Sequence, residues 1–429
     1  MTLQPNIPAS PHPRVLIIGA GFAGINLVKA LRGKPFQVVL IDRNNYHLFM
    51  PLLYQVATAG LEPSSIAFPV RGIFREKGNF IFRMAEVEKI NPRNNSVDTA
   101  IGTISYDYLV MGTGSISNYF GNKNFEQYGR GMKSLYEAVG IRNYGLRVFE
   151  RVLLMDDEEQ KKKALNIVIV GAGPTGVELA GAMAEFKKSI LPKDYPELPP
   201  GLMNIYLIEA SSRVLATMSE AASAHTKDFL TKMGVKILLD TKVNDYDGET
   251  VTLGNGETIP TRSFIWSAGV MGNALPGLDP ATVLRNGRIE VDAFNQVKGS
   301  PNIFAIGDIA QMMNDPRFPR GYPMLAQVAI QQGKNLAGNL VRLIHKQALI
   351  PFKYKDKGSM ATIGRNKAVA DIGKSHLHGF FAWMAWMGVH LLFLMGFRNK
   401  LIVFMNWVYS YFTYDRGTRI ILKRHSDGE

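Results

Sequence analysis

The sequence predicts an α/β fold in which one strand–glycine turn–helix–strand design occurs twice, followed by an apolar and basic C-terminal segment. Three observations predict it. A short β-branched run, Arg14 to Gly19 (RVLIIG), stops at glycine and continues as Ala20, Gly21, Phe22, Ala23 and Gly24. The design returns at Asn166, where NIVIVG leads from Gly171 into Ala172, Gly173, Pro174, Thr175 and Gly176. After about residue 350 the composition shifts. Residues 353–429 carry 12 Lys/Arg against 5 Asp/Glu, and Gly379 to Phe397 has no residue formally charged at neutral pH.

Met1 to Pro13 is proline-rich and weakly apolar, without the hydrophobic core or cleavage site of a signal peptide, and reads as a short disordered leader. Arg14 to Gly19 then reads as a buried parallel strand, Phe22 to Leu31 as a helix and Gln37 to Ile41 as the next strand, ending in Asp42. In the G-x-G-x-x-G turn the first glycine permits the tight bend. The second lets a pyrophosphate reach the backbone, and the third lets helix and strand pack closely. The helix start offers unpaired N–H groups and a positive dipole end to phosphate. Asp42, 18 residues after Gly24, stands where a carboxylate accepts from ribose hydroxyls.

In the second copy the helix spans Val177 to Phe186 and the strand Asn204 to Ile208, ending in Glu209. Glu209 lies 33 residues after Gly176, a longer gap explained by a loop insertion, Leu191 to Gly201, with prolines at 192, 196, 199 and 200. A carboxylate there favours a free 2′-hydroxyl, hence NADH over NADPH. The acidic run Asp156 to Glu159 followed by Lys161 to Lys163 reads as a solvated helix face or loop. Thr250 to Thr258, with Gly254-Asn255-Gly256 as the turn, and Arg285 to Val291 read as antiparallel hairpin pieces. These are two Rossmann-like dinucleotide-binding domains plus a C-terminal region. The expected division is a discontinuous first domain over 14–114 and 270–349, a second over 115–269, and the C-terminal region over 350–429.

The 429-residue chain, 46% hydrophobic and 20% charged, is long enough for two or three folded domains. It contains no cysteine, which excludes disulfides, thiolate metal sites, iron–sulfur clusters and cysteine-based redox catalysis. The same absence is compatible with a reducing compartment. Lys+Arg 49 against Asp+Glu 36 gives a formal net charge of +13. That balance favours anionic partners such as nucleic acid, anionic lipid or phosphorylated cofactors.

The opening GAGFAG, the Met111-Gly112-Thr113-Gly114 turn, the second GAGPTGVELA, Trp266-Ser267-Ala268-Gly269 and Ile306-Gly307-Asp308 together resemble the landmarks of two-dinucleotide flavoprotein reductases. The resemblance spans nearly all of residues 14–345. It implies FAD in the first domain, held by Gly19, Ala20, Gly21, Phe22, Ala23, Gly24, Asp42, Arg43, Thr113, Gly114, Gly307 and Asp308. It implies NADH in the second, held by Gly171, Gly173, Pro174, Thr175, Gly176, Glu209, Ala268 and Gly269. Relatives that need a redox cysteine, such as disulfide reductases and sulfide:quinone oxidoreductases, are excluded by composition. The electron acceptor is then a quinone, a ferredoxin-like protein or oxygen.

Ala326-Gln327-Val328-Ala329-Ile330-Gln331-Gln332-Gly333 resembles the AQxAxQ element of type II NADH:quinone oxidoreductases. The resemblance implies a helix beside the flavin, with Ala326, Gln327 and Gln331 at a quinone and Gln327 also touching FAD. The chemistry is reasonable. Gln327 and Gln331 share a helix face, and neutral amides bond quinone carbonyls without placing a charge in an apolar pocket. Surface glutamines are the plain alternative. Tyr46 to Leu61 resembles the segment after the first acidic residue. Lys367 matches a lysine near the flavin and is otherwise an exposed strand lysine. Glu178 resembles a glutamate near the nicotinamide and is otherwise a helix-start carboxylate. With Gln327 and Gln331 it completes the expected catalytic set.

Gly379 to Phe397 would be about 28 Å long as one helix, so a transmembrane span is one reading. Arg398 and Lys400 follow at once, and a second aromatic run, Leu401 to Phe412, comes directly after. Trp383, Trp386 and Trp407 read as candidates for an interface, and the resemblance favours two amphipathic helices on the membrane surface with basic residues on anionic headgroups. A dimer interface is compatible with the same apolar faces. The expectation is a peripheral, monotopic flavoenzyme on the cytoplasmic face of the cell membrane. It would be a homodimer without metal, nucleic-acid partner or proton pumping, reducing menaquinone or ubiquinone. Two rivals share the glycine motifs: a soluble ferredoxin- or rubredoxin-type reductase, and an apoptosis-inducing-factor-like flavoprotein that binds nucleic acid.

Overall fold

A computed structural model describes residues 3–75, 78–415 and 417–421. The elements that build the site begin with β1 (Arg14–Ile18), α1 (Phe22–Leu31), β2 (Gln37–Asp42), β3 (Phe80–Met84) and β4 (Tyr108–Met111). Next come β5 (Asn166–Val170), α2 (Pro174–Ser189), β6 (Asn204–Ile208), β7 (Val235–Leu238), β8 (Ser263–Trp266), β9 (Ile303–Ala305) and α3 (Ala326–Ile344). A three-stranded antiparallel sheet, β10 (Ser359–Gly364), β11 (Lys367–Ile372) and β12 (Ser375–His378), leads into α4 (Gly379–Phe393) and α5 (Phe397–Thr413). The chain forms two compact units. One holds the chain up to Leu48, Phe68–Ile116 and Met271–Asp356, and the other holds Phe49–Ala67, Ser117–Val270 and the chain from Lys357 onward.

The first unit is built on a parallel sheet in the order β9-β4-β1-β2-β3. Val15, Leu16 and Ile17 of β1 are fully buried, as a strand covered on both faces requires. α3 buries Val328, Ala329, Gln332, Gly333, Leu336 and Ala337 along one face. It meets α1 at small residues, since a Cβ on Gly333 would stand 2.6 Å from the Ala23 carbonyl oxygen. The leader, expected to be disordered, is fastened from Pro5 on. Arg83 donates to the carbonyls of Pro5 and Asn6, and the Gln37 amide donates to the Pro8 carbonyl at 2.7 Å. Side chains of β2 and β3 thus supply an order that its own composition does not. The segment Arg285 to Val291 does form the expected antiparallel hairpin piece, with Ile289 bridged to Val283 across the turn, and it has a second partner besides. Its turn at Gly287 is tight, but Ile289–Val291 then runs parallel to Ala310–Met312, a partner that no local turn could announce.

The second unit repeats the plan with a parallel sheet in the order β7-β6-β5-β8. Thr250–Leu253 and Thr258–Pro260 form the expected hairpin across Gly254–Gly256. The charged run is the expected solvated helix, Glu158–Leu165, capped by the Asp157 side chain and laced by Lys161–Glu158 and Lys162–Glu159 pairs. Leu191 to Gly201 is not wholly loop. Leu191–Asp194 makes one helical turn with Pro192 near its start, where a missing N–H costs nothing.

The uncharged run Gly379 to Phe397 does not form one helix. α4 has 15 residues, about 22 Å, well short of the ~30 Å of a hydrocarbon core. It stops before Gly396, whose φ of +78° sets the new direction in which α5 starts. Among the described residues no helix is long and apolar enough to cross a membrane. The polar triplet Arg398-Asn399-Lys400 fastens this corner. Buried Asn399 donates to the carbonyls of Ser64 and Ser65, and Lys400 Nζ caps α4 at the Leu392 carbonyl, 2.8 Å away.

Candidate active site

The two glycine turns are built alike. In the first unit Gly19 follows β1 with φ +106°, and its N–H bonds the Ile41 carbonyl at 2.8 Å. A Cβ on Gly19 would collide with the Gly112 carbonyl, and one on Gly24 with the Gly19 carbonyl. A Cβ on Gly21 would meet nothing within 4 Å. The outer glycines therefore serve close packing, while the middle one faces the open space a pyrophosphate needs. Gly21 caps α1, whose first turn carries no acidic residue, so its dipole end is free to receive an anion. The residues fit the diphosphate of a dinucleotide.

Asp42 does more than await a ribose. Its Oδ2 accepts the Ala20 N–H at 2.7 Å and its Oδ1 the Asn44 N–H at 2.7 Å. Burial raises its pKa, and the two backbone donors and nearby Arg43 oppose the rise. The C-terminal ends of β4 and β9 complete this face. The Thr113 hydroxyl donates to the Asn273 carbonyl at 2.7 Å, Gly114 has φ +72°, and Ser115 Oγ donates to Asp308 at 2.6 Å. Gly307 has φ +77°, and its N–H donates to Gln332 Oε1 at 2.7 Å. Gln332 is 1% exposed and escaped the sequence reading, which followed the i, i+4 pair. The apolar and small residues Val328, Ala329, Gly333 and Leu336, whose helical spacing puts Gln332 on the same face, were the signal that could have found it.

In the second unit Gly171 has φ +99°, and a Cβ there would crowd Ala268 at 2.5 Å. Gly176 packs on the Gly171 carbonyl, and Gly173 is open. Glu209 repeats Asp42, its Oε2 accepting the Ala172 N–H at 2.7 Å while Oε1 takes Ser211 N–H and Oγ, both at 2.9 Å. Pro174 and Thr175 open α2, and the Gly269 carbonyl accepts Asn118 N–H at 3.1 Å.

Glu178 lies in the second turn of α2. Gly181, on the same helix, lets α2 lie directly on the Ile363 backbone of β10. Glu178 is buried, and desolvation pushes its pKa up to about 8, only partly offset by a long 3.5 Å bond from Thr362 N–H. The buried Trp386 indole N–H faces this carboxyl and also opposes the rise, although it does not reach full hydrogen-bond geometry. Both side chains line a cavity with about 110 Å³ of water-accessible space. Trp383 and Trp407 also line it, as do Gln55 and Tyr54 of the short helix Leu53–Ala57. Gln55 Oε1 accepts the Trp407 indole N–H at 2.9 Å, tying that helix to α5.

Ala326 opens α3, and Gln327 and Gln331 are half-buried on it. The Gln331 amide is bound twice to the backbone of Lys355, donating to its carbonyl at 2.9 Å and accepting its N–H at 3.0 Å. Lys367 opens β11 in the second unit, with Nζ 3.5 Å from the Arg365 carbonyl. Among the described residues no group of three or more His, Cys, Asp or Glu could hold a metal.

Two glycine-turn units, each with a carboxylate on its loop, define a two-dinucleotide reductase. The family described as pyridine nucleotide-disulphide oxidoreductase matches residues 13–333, and the NDH2 C-terminal domain matches residues 357–414. The chain is 35% identical to the type II NADH:quinone oxidoreductase NdhA of Mycobacterium tuberculosis, over 98% of its own length and 92% of that protein. It is 31% identical to a probable NADH dehydrogenase of Dictyostelium discoideum, over 92% and 89%. The structure of NDH2 from Plasmodium falciparum has the same fold, with a TM-score of 0.88 at 22% identity, covering 96% of this chain and 100% of that one. A sulfide:quinone oxidoreductase from Aquifex aeolicus shares the fold at a TM-score of 0.70 and 20% identity, covering 93% and 95%. The chain belongs to the type II NADH:quinone oxidoreductase family.

Proposed function

We infer that the protein is a non-electrogenic flavoenzyme that oxidises NADH and passes the electrons to a membrane quinone. FAD, when bound, supplies the chemistry, taking hydride from NADH and releasing two electrons onward. The chain's residues bind, orient and manage protons. The Gly19–Gly24 turn with Asp42, Arg43, Thr113, Gly114, Gly307 and Asp308 would hold FAD, joined by Gln327 and Lys367. The Gly171–Gly176 turn with Glu178, Glu209, Ala268 and Gly269 would hold NADH.

Quinone reduction needs protons as well as electrons. A carboxyl that keeps its proton at neutral pH can donate it, and burial puts Glu178 in that state. On α3 the Gln327 amide is the proposed partner of a quinone carbonyl, with Ala326 beside it and Gln331 fixed one turn further on by Lys355. Exposed apolar side chains on α4 and α5 support a monotopic seat on an anionic lipid surface. The homodimer, the cytoplasmic face and the choice of menaquinone or ubiquinone belong to the reading on family grounds. No metal or nucleic acid is invoked, because the basic residues of the C-terminal region flank apolar helices rather than forming nucleic-acid motifs.

The observation that carries the reading is the duplicated turn, with Asp42 and Glu209 each accepting the N–H of the alanine between the first two glycines, in a chain without cysteine. The test is a visible spectrum of the purified protein, followed by anaerobic bleaching with NADH and reoxidation by a short-chain quinone. A colourless protein that stays colourless after reconstitution with FAD refutes it.

A further inference from the structure

We propose that Glu185 is the outer carboxylate of a water-filled proton path that refills Glu178 through the cavity walled by α2, β10, α4 and α5. The proposal rests on the reading of Glu178 as a proton donor, and it adds the route by which that donor recovers. Glu178, Ala182 and Glu185 occupy i, i+4 and i+7 on α2, and all three line the same cavity. Seven residues of helix separate the carboxylates by about 10 Å along the axis, too far for direct transfer and close enough for a few waters. The ~110 Å³ of water-accessible space holds several, since one water needs roughly 10–15 Å³ on that measure. The Ala182 methyl leaves the space between them clear.

The lining also has the polar partners that water needs. The buried Trp386 indole N–H faces Glu178 without full hydrogen-bond geometry, leaving it open to a water, and Thr362, Thr58 and Tyr54 bring oxygen atoms. Glu178 is buried at one end and Glu185 partly exposed, its Oε1 held by the Arg365 backbone N–H. The lining carries one further charged side chain, Arg365, and two phenols, Tyr54 and Tyr411. The Arg365 guanidinium is directed at the carbonyls of Ser410 and Tyr411 at the end of α5. When the Glu178 O–H bond breaks, a carboxylate is left in a largely apolar wall. Glu185 takes a proton from solvent and passes it along the cavity waters to that carboxylate. One proton enters for each delivered, and no electrons move.

The experiment uses the resting holoenzyme without quinone. The carboxylic carbonyl band of Glu178 is identified in the infrared by its loss in Glu178→Gln. Its hydrogen–deuterium exchange is then timed after mixing with D₂O. Glu185→Gln keeps an oxygen for the Arg365 N–H and should slow exchange at least tenfold, while Glu185→Asp restores it. Flavin bleaching by NADH should be unchanged in Glu185→Gln, with quinone turnover falling increasingly as pH rises above 8. Unchanged exchange overturns the relay. A raised quinone KM with unchanged exchange also overturns it, making the cavity a quinone seat. Absence of any band that Glu178→Gln removes defeats the donor reading itself, a failure distinct from that of the relay.

Discussion

Glu178 is costly to the folded protein whenever its proton is removed. An ordinary glutamate ionises near 4.5, whereas burial holds this one near 8. Between those values the unfolded chain has lost the proton and the folded chain has kept it, so stability falls as pH rises through that window. At about 1.4 kcal/mol per unit the loss accumulates to roughly 4 kcal/mol by pH 8. Glu178→Gln should therefore change stability little at pH 5 and raise it by several kcal/mol at pH 8, read by denaturant unfolding at both. An equal effect at the two values would mean that the carboxyl is not held protonated. Gln332 is the other residue that decides something alone. Gln332→Leu strands the buried Gly307 N–H, a loss of roughly 1–3 kcal/mol. The expected outcome is about tenfold weaker FAD retention, measured as flavin-to-protein absorbance after gel filtration, with NADH affinity unchanged.

At the scale of elements, the glycine turns were legible because their requirements are local. A strand ending in glycine, a helix start and a carboxylate at the next strand end each have a short-range signature, and α1 spans the residues the pattern assigned to it. Asp42 and Glu209 were legible as carboxylates at the strand ends beside the glycine turns, but their bracing of the loops was not, because it depends on where the Ala20 and Ala172 N–H groups point once folded. Gln331 illustrates the opposite limit. Its position on a helix face was readable, but its attachment to Lys355 depends on a chain segment 24 residues away. The order of the leader and the parallel pairing of Ile289–Val291 eluded the sequence for the same reason, since their partners are distant. The break in the apolar run at Gly396 was a glycine signal in plain view. Composition alone carried the uncharged run past it, to Phe397, because the charges that mark the corner begin only at Arg398.

At the scale of the whole molecule, the unexplained cost is apolar surface left in water. Phe381 is 76% exposed, Leu392 75%, Phe397 82% and Phe412 76%, on two helices too short to span a bilayer. Soluble chains seldom keep such a concentration unless something covers it. Each large side chain buried in lipid contributes roughly 1.5–3 kcal/mol, so four together supply enough for lasting attachment. Inward-facing Ala382, Trp386 and Asn399 hold the helices to their own unit, so changing only the outward residues leaves the fold intact. The quadruple variant Phe381→Ser, Leu392→Ser, Phe397→Ser and Phe412→Ser should lose co-sedimentation with anionic vesicles by at least tenfold. It should keep its flavin and its turnover with a water-soluble short-chain quinone, and lose turnover with a long-chain quinone dissolved in lipid. Sedimentation that persists in the variant would place the lipid contact elsewhere on the molecule. A variant that still binds vesicles but runs at half its native mass would assign these faces to a second copy of the chain.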